Sequence, residues 1–257
     1  MERILVTGGT GQLGSAVVTA LKTAGEQVRV LSRRRTPEYA TGDLRTGRGI
    51  DTAVAGADVI VHCATDFRRE TQLARRLVEA ARWAGTEHLV YVSIVGVDRI
   101  PLGYYQHKYE GERLIADSGL PYTILRATQF HALVRTLFAG ASRLPVVPVP
   151  KTRFQPVDVR DVASRLATLA VGDPVGRADD FGGPEVLDAA DLARAVSTAS
   201  GRERRVLPVR LPGAVFCGYA EGGNLTPEHA DGKITFAEYL AEQPDAGRLR
   251  YRGQVEQ

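Results

Sequence analysis

The sequence predicts a doubly wound parallel α/β fold, Rossmann-like, with a small C-terminal α/β lobe. Three observations carry this. Short β-branched runs alternate with longer amphipathic stretches, several of the runs are apolar at nearly every position, and a glycine-rich turn joins the first run to the first amphipathic stretch. Runs apolar on both faces suit strands covered by helices on both sides, which is the condition of a parallel sheet.

Arg3 to Thr7 reads as the first strand and Gln12 to Ala24 as the helix after it. Further strands are expected at Gln27 to Ser32, Asp58 to Cys63, Glu87 to Ser93 and Pro121 to Arg126, with helices over Gln72 to Ala84 and Tyr105 to Ser118. Each helix runs out near a glycine, Gly25, Gly85 or Gly119, suited to the left-handed residue that ends a helix. After Arg126 the alternation loosens. Ser142 to Pro150 is punctuated by proline and extended, and Arg153 to Val171 reads as a short strand feeding one more helix. A helix over Asp188 to Gly201, an extended run from Arg205 to Gly213 and a last helix over Lys233 to Gln243 complete the chain. The expected organisation is a nucleotide-binding domain of residues 1–143, rejoined by 153–173, and a small lobe of 144–152 and 174–257, whose last ten residues fray.

Composition narrows the function classes. With 257 residues, 33 Lys+Arg against 30 Asp+Glu and 44% hydrophobic residues, the chain is an ordinary globular one with material for a large core. The net charge of +3 is spread along the chain, so no nucleic-acid partner is implied. No apolar stretch has the roughly 18 residues of a membrane span. Met1 leads almost directly into a strand, so a cytoplasmic protein without a leader is expected. Cys63 and Cys217 lack CxxC spacing and read as free thiols. The five histidines form no HExxH or other ligand spacing and no GxSxG elbow occurs, which argues against a metal site and a serine hydrolase. Nothing in the sequence specifies an oligomeric state.

The strongest motif is Gly9-Thr10-Gly11-Gln12-Leu13-Gly14, set between a strand and a helix. A dinucleotide pyrophosphate needs a tight turn, backbone bare of Cβ, and a helix N-terminus with free amides. The same residues read as Thr7-Gly8-x-x-Gly11-x-x-Gly14, and this spacing resembles the short-chain dehydrogenase/reductase superfamily. An NAD enzyme of that kind carries a carboxylate at the end of the second strand. Here Leu31 is followed by Ser32, Arg33, Arg34 and Arg35, a hydroxyl and guanidinium groups suited to the 2′-phosphate of NADP, so NADPH is the expected cofactor. The resemblance also implies an adenine-edge contact at Asp43 and Leu44, and puts Cys63, Ala64 and Thr65 beside the nicotinamide ribose. The side chains of His62 and Cys63 read as core.

Hydride transfer to a carbonyl or similar acceptor needs a proton donor, and a phenol with a pKa near 10 needs a neighbouring cation to serve well. Tyr104-Tyr105-Gln106-His107-Lys108 supplies a Tyr-x-x-x-Lys step on one helix face. Lys108 is one of only four lysines, with Lys22, Lys151 and Lys233. Ser93 closes a strand at the carboxyl edge of the sheet, where doubly wound folds place chemistry. Ser93, Lys108 and either Tyr104 or Tyr105 are the candidate catalytic residues, with Lys108 also expected on the ribose hydroxyls and able to act alone as the acid.

Together "VTGGTGQLG", "YVSIVGVD", "YYQHKYEGERLI", "GLPYTILRATQF" and "FQPVDVRDVA" resemble the atypical, NmrA-like short-chain dehydrogenase/reductases over almost the whole chain. The resemblance implies an NADPH-dependent reductase passing hydride to a small or aromatic ketone, quinone, enone or imine. It also allows a non-catalytic NAD(P) sensor acting through a protein partner. It marks Thr128, Gln129, Phe130 and His131 as substrate-side residues; Phe216 and Tyr219, beside a loop made flexible by Gly222 and Gly223, read as the roof of the pocket. Asp158 and Asp161 read as helix-start residues with structural roles.

Overall fold

The computed structural model describes residues 3–141, 146–201 and 203–243. Its first half runs β1 (Arg3–Thr7), α1 (Gln12–Thr23), β2 (Gln27–Ser32), β3 (Tyr39–Thr41), α2 (Ile50–Val54), β4 (Val59–His62), α3 (Glu70–Ala84), β5 (His88–Ile94), α4 (Gly103–Ala116) and β6 (Tyr122–Ala127). These strands and β9 (Gly176–Arg177) form a seven-stranded sheet in the order β3-β2-β1-β4-β5-β6-β9, parallel in every ladder. The order reverses between β1 and β4, which opens a crevice at their carboxyl ends.

Side chains two apart along a strand share a face, and the sequence fills both faces with apolar groups. Ile4, Val6, Val59, Val61, Val90, Val92 and Leu125 pack under α1 and α6 (Val159–Ala170). Leu5, Leu31, Ile60, Leu89, Tyr91 and Ile124 pack under α2, α3 and α4. Tyr91 is therefore directed to the α3/α4 layer, and by the same alternation so is Ser93. Gly25, Gly85 and Gly119 all adopt positive φ after their helices, as the sequence pattern requires.

Two helix starts differ from expectation. α3 begins at Glu70 rather than Gln72, because the Glu70 carboxylate folds back to accept the Asp66 N–H at 3.0 Å. α4 begins at Gly103, which brings Tyr104 inside the helix. β3 is an additional element, three residues long and too short to show a period of two.

Beyond β6 come α5 (His131–Ala141), β7 (Val146–Pro150), β8 (Arg153–Phe154), α6, β9, β10 (Leu187–Asp188), α7 (Ala189–Ala199), β11 (Arg205–Val209), α8 (Ala214–Ala220), a 3-10 turn at Pro227–His229 and α9 (Phe236–Ala241). In the segment 153–173, α6 and Val157 pack into the core of the main sheet, while β8 pairs antiparallel with β10. β9, in the segment the sequence reading gives to the small lobe, pairs with β6. β7 and β11 form a separate parallel pair. A second core of Val134, Phe138, Val147, Val149, Phe154, Leu192, Val196, Phe236 and Leu240 lies among these elements. Asp158 caps α6 through the Arg160 N–H, and Asp161 accepts the backbone N–H groups of Lys233 and Ile234. α9 is shorter than expected because Thr235 and Glu238 form a capping box. The boundary at 143/144 and the polar C-terminal tail lie outside the described residues. Among the described residues no helix is long and apolar enough to cross a membrane.

Candidate active site

The crevice is built first by glycine. Gly8 leaves β1 at φ +68°, and a Cβ there would lie 2.6 Å from the Ala64 nitrogen, so the turn is pressed against the chain leaving β4. A Cβ on Gly14 would come within 2.2 Å of the Gly8 carbonyl oxygen, so only glycine lets α1 start this close to β1. Gly11 is the N-cap of α1, extended, with no side-chain cap, and no acidic residue lies in the first turn. Its N–H donates to Gly8 at 2.9 Å, while the first-turn amides after it have no intrahelical acceptor. Thr7 Oγ1 accepts the Ala64 N–H at 3.3 Å and bonds His62 Nδ1 at 2.6 Å, tying the ends of β1 and β4. Thr10 is exposed at the rim of the turn, Leu13 is buried in the core, and Gln12 Oε1 is buried without a partner among the described residues.

At the end of β2, Ser32 is buried and its hydroxyl accepts the Arg34 N–H at 3.1 Å, leaving the Arg33 and Arg34 side chains exposed beside it. Asp43 folds onto its own turn, accepting the Arg45 N–H at 2.9 Å and the Thr46 hydroxyl at 3.2 Å, and Leu44 is buried. Cys63 is half-buried, and burial pushes its thiol up to about 12, which keeps it a thiol rather than a thiolate. Neither Cys63 nor Cys217 is bridged.

The second half of the site is a buried charge cluster between β5, α3 and α4. Lys108, 4% exposed, places Nζ 2.7 Å from Oε1 of Glu70, itself 0% exposed. The same ammonium donates to the Val92 carbonyl at 2.9 Å and lies 4.4 Å over the Tyr91 ring. Tyr91 donates its hydroxyl to Glu70 Oε1 at 3.1 Å. On the other oxygen, Glu70 Oε2 accepts the Thr65 hydroxyl at 2.9 Å. Thr65 Oγ1 lies 2.7 Å from the Tyr104 hydroxyl. A carboxylate only accepts, so Thr65 spends its single proton on Glu70 and Tyr104 must donate to Thr65.

Burial opposes both charges of the pair, yet each partner outweighs it. Glu70 stays below the ordinary glutamate range beside Lys108, and Lys108 well above the ordinary lysine range beside Glu70. Burial also raises the Tyr104 phenol. Lys108 pulls it down and Glu70 pushes it back up, so the expected cation-lowered phenol is replaced by a raised one. His62, stacked on Tyr91 at 5.5 Å, is pushed down to about 4, chiefly by burial, and is neutral near pH 7.

The two tyrosines part company at the start of α4. Tyr104 bonds into the cluster, whereas Tyr105 is buried against Val97 and Ile100, with its hydroxyl 3.1 Å from that of Tyr219 on α8. Successive helical residues point about 100° apart, so one helix start serves two sites. Ser93 is 3% exposed and its hydroxyl has no partner among the described residues. Phe67, 41% exposed, packs its ring 4.5 Å from that of Tyr104 and forms an uncovered aromatic shelf.

The substrate-side residues expected after β6 need correction. Gln129 is buried and bonds the Asn224 carbonyl at 3.0 Å and the Gln155 N–H at 3.3 Å. Thr128 accepts the Gly183 N–H, and His131 is buried between Phe236 and Tyr239 with Nε2 3.0 Å from the Ile234 carbonyl. These three side chains stitch the C-terminal segments to the sheet rather than face a cleft. Phe130, Phe216 and Tyr219 are partly exposed.

Glu70 and Phe67 escaped the sequence reading. A signal for Glu70 was present: Glu70, Leu73, Ala74 and Leu77 share one helix face, which puts a carboxylate in line with the core.

A crowded glycine turn, an uncapped helix start without acid, and a hydroxyl with two exposed guanidinium groups, unpaired among the described residues, where a carboxylate is missing together fit a nicotinamide dinucleotide. A family model described as NAD(P)H-binding matches residues 8–137, which span all of these features. The chain belongs to this NAD(P)H-binding family. It is an NAD(P)H-dependent oxidoreductase of the atypical short-chain dehydrogenase/reductase type, as the NmrA-like resemblance implies. It is 29% identical over 223 residues to an NAD(P)H azoreductase of Xenophilus azovorans, covering 81% of this chain and 77% of that one. It is 31% identical over 219 residues to a (4-alkanoyl-5-oxo-2,5-dihydrofuran-3-yl)methyl phosphate reductase of Streptomyces griseus, covering 79% and 75%. Its fold superposes on the NADPH-dependent quinone oxidoreductase of Escherichia coli complexed with NADPH with a TM-score of 0.79 at 20% identity, covering 93% and 98%.

Proposed function

We propose that this oxidoreductase uses NADPH to reduce small, flat or aromatic organic acceptors of the quinone, enone, imine or ketone class. The observation that carries this reading is the Tyr104 hydroxyl, bonded through Thr65 to the buried Glu70–Lys108 pair and flanked by the open ring of Phe67. The azo and furanone relatives support the acceptor class. Bound NADPH supplies the hydride. Gly8 to Gly14 and the first-turn amides of α1 receive its pyrophosphate, Arg33 and Arg34 hold the 2′-phosphate, and Cys63, Ala64 and Thr65 border the nicotinamide ribose.

Tyr104 is the acid of this reading. Its phenol is protonated across the neutral range and gives up the proton only to the oxygen or nitrogen that hydride addition has made strongly basic. Ser93, on the same sheet face as Tyr91, offers its unpartnered hydroxyl to orient that atom. Lys108, enclosed by Glu70, Val92 and Tyr91, acts as a buried charge rather than as a direct ligand of the ribose. Phe67, Phe130, Phe216 and Tyr219 supply the apolar walls.

The test is NADPH oxidation by purified protein across a panel of quinones, enones, imines, azo dyes and ketones. Turnover with a subset of the panel, lost in Tyr104→Phe with NADPH binding retained, is the expected result. NADPH binding without oxidation of any panel member, and a Tyr104→Phe variant indistinguishable from the parent, would instead indicate a nucleotide sensor.

A further inference from the structure

We propose that Glu70 is a positioning residue for the reductase site, which holds the Tyr104 phenol protonated and aimed by offsetting the Lys108 ammonium with one oxygen and anchoring the Thr65 hydroxyl with the other. The proposal rests on the reading of Tyr104 as the acid. Its basis is geometric. A buried glutamate at the first position of a helix is explained neither by the helix dipole nor by solubility, because an exposed carboxylate would satisfy both. Glu70 instead spends four interactions inward: Lys108 at 2.7 Å, Tyr91 at 3.1 Å, Thr65 at 2.9 Å and the Asp66 N–H at 3.0 Å. Both oxygens are used, and each leads to the start of α4 by a different route.

The groups facing this cluster are few. Lys108 and Tyr104 come from α4, Tyr91 from β5 and His62 from β4, and Asp66 of the loop is engaged with Arg45 at 2.9 Å. His62 is neutral at the working pH, so Lys108 and Glu70 are the opposed charges acting on Tyr104, whose phenol burial raises first. With Glu70 present the ammonium is matched inside the protein. Without it the ammonium is unmatched, and its charge favours loss of a proton from the phenols around it, Tyr91 beneath the ammonium and Tyr104 beyond Thr65. The carboxylate thus holds the proton on the phenol until hydride transfer has made the acceptor atom the stronger base.

The test is an ultraviolet titration of tyrosinate in protein free of cofactor and acceptor, with the Tyr104→Phe signal subtracted in each background. In Glu70→Gln the Tyr104 midpoint is expected to fall by about one to three pH units, the range of an opposite charge at close approach. The alkaline limb of the kcat profile for NADPH oxidation should fall with it, and Glu70→Asp should restore most of the original midpoint. An unchanged Tyr104 midpoint in Glu70→Gln overturns the proposal. Should that variant fail to fold, Thr65→Val carries the test, since Thr65 is exposed and the ion pair stays intact. Removing the acceptor of the phenolic proton is expected to lower kcat about tenfold and to lower the Tyr104 midpoint in the same titration, and an unchanged midpoint and kcat overturn the proposal. Because the titration needs no turnover, a shifted midpoint in a protein that oxidises no NADPH counts against the reductase reading alone, and an unshifted midpoint in an active enzyme counts against Glu70 alone.

Discussion

Helix α4 carries two buried ionic groups that invite comparison. Toward its C-terminal half, Glu112 takes Arg126 of β6 in a fork, Nε at 2.8 Å and Nη2 at 2.6 Å, while Arg126 Nη1 reaches Asp98 at 2.9 Å. Toward its N-terminal half, Lys108 meets Glu70 of α3. The guanidinium fork is complete in itself: planar donors match planar acceptors, and the network ends where it begins. The Lys108–Glu70 pair does not close in that way. Its spare oxygen is extended by two hydroxyls, Thr65 and Tyr104, to an exposed aromatic shelf. The difference teaches how to tell a structural ion pair from a chemical one in the same layer of the same fold. The first holds β6, α4 and the residue-98 loop together, and the second passes its electrostatic influence outward to a proton that can leave.

Breaking each group separately sharpens the contrast. The largest effect expected is on chemistry. Tyr104→Phe should lower kcat for NADPH oxidation by about 10²- to 10⁴-fold, the usual worth of a general acid, with the thermal midpoint nearly unchanged because the lost hydroxyl bond lies at an exposed edge. Arg126→Met should do the reverse. Stripping the partner from buried Glu112 should cost about 3–5 kcal/mol of stability in urea denaturation, while the folded fraction keeps its Tyr104 midpoint.

A pH dependence distinguishes the two groups next. His62 titrates at about 4 in the fold against 6.5 in the unfolded chain, chiefly through burial. Below pH 6.5 the unfolded chain therefore takes the proton first. The contribution of His62 is fully present above that pH and is lost as the pH falls toward 4, to the extent of about 3 kcal/mol. Glu70, lowered by Lys108, adds a further loss below the ordinary glutamate value. Stability measured between pH 7 and 4 should fall in the parent and in Arg126→Met alike, and should be flatter in His62→Asn, which keeps the bond to Thr7. The smallest effect expected is on cofactor choice. Arg33→Asp should reduce the preference for NADPH over NADH in kcat/KM by about tenfold, and an unchanged preference would move the 2′-phosphate contact away from the end of β2.

Much of the fold was legible because its signals are local. Alternating apolar runs set the strands of the main sheet, and glycines after Thr23, Ala84 and Ala116 set the helix ends. The glycine turn was legible for the same reason, since crowding by Gly8 and Ala64 leaves room for nothing larger. The site was half legible. Tyr104 and Lys108 are four residues apart, and a helix makes that spacing a neighbourhood. Glu70 is 38 positions from Lys108, and Gln129 is 95 from Asn224, and no periodicity links them. Thr128, Gln129 and His131 looked substrate-facing by their place after β6, but the returning segments at 153–157, 181–183 and 224–234 cover them.

By itself the sequence determined the parallel sheet, the dinucleotide turn, the absence of a carboxylate at the end of β2 and the presence of a phenol one helical turn from a lysine. Each follows from stereochemistry within a few neighbouring residues. Only the tertiary structure decided which of two adjacent tyrosines joins that lysine and that the lysine is matched by a carboxylate from another helix. It also decided which polar residues beyond β6 are enclosed. Charge and burial act through space, and the partners that set them are brought together only when the layers close.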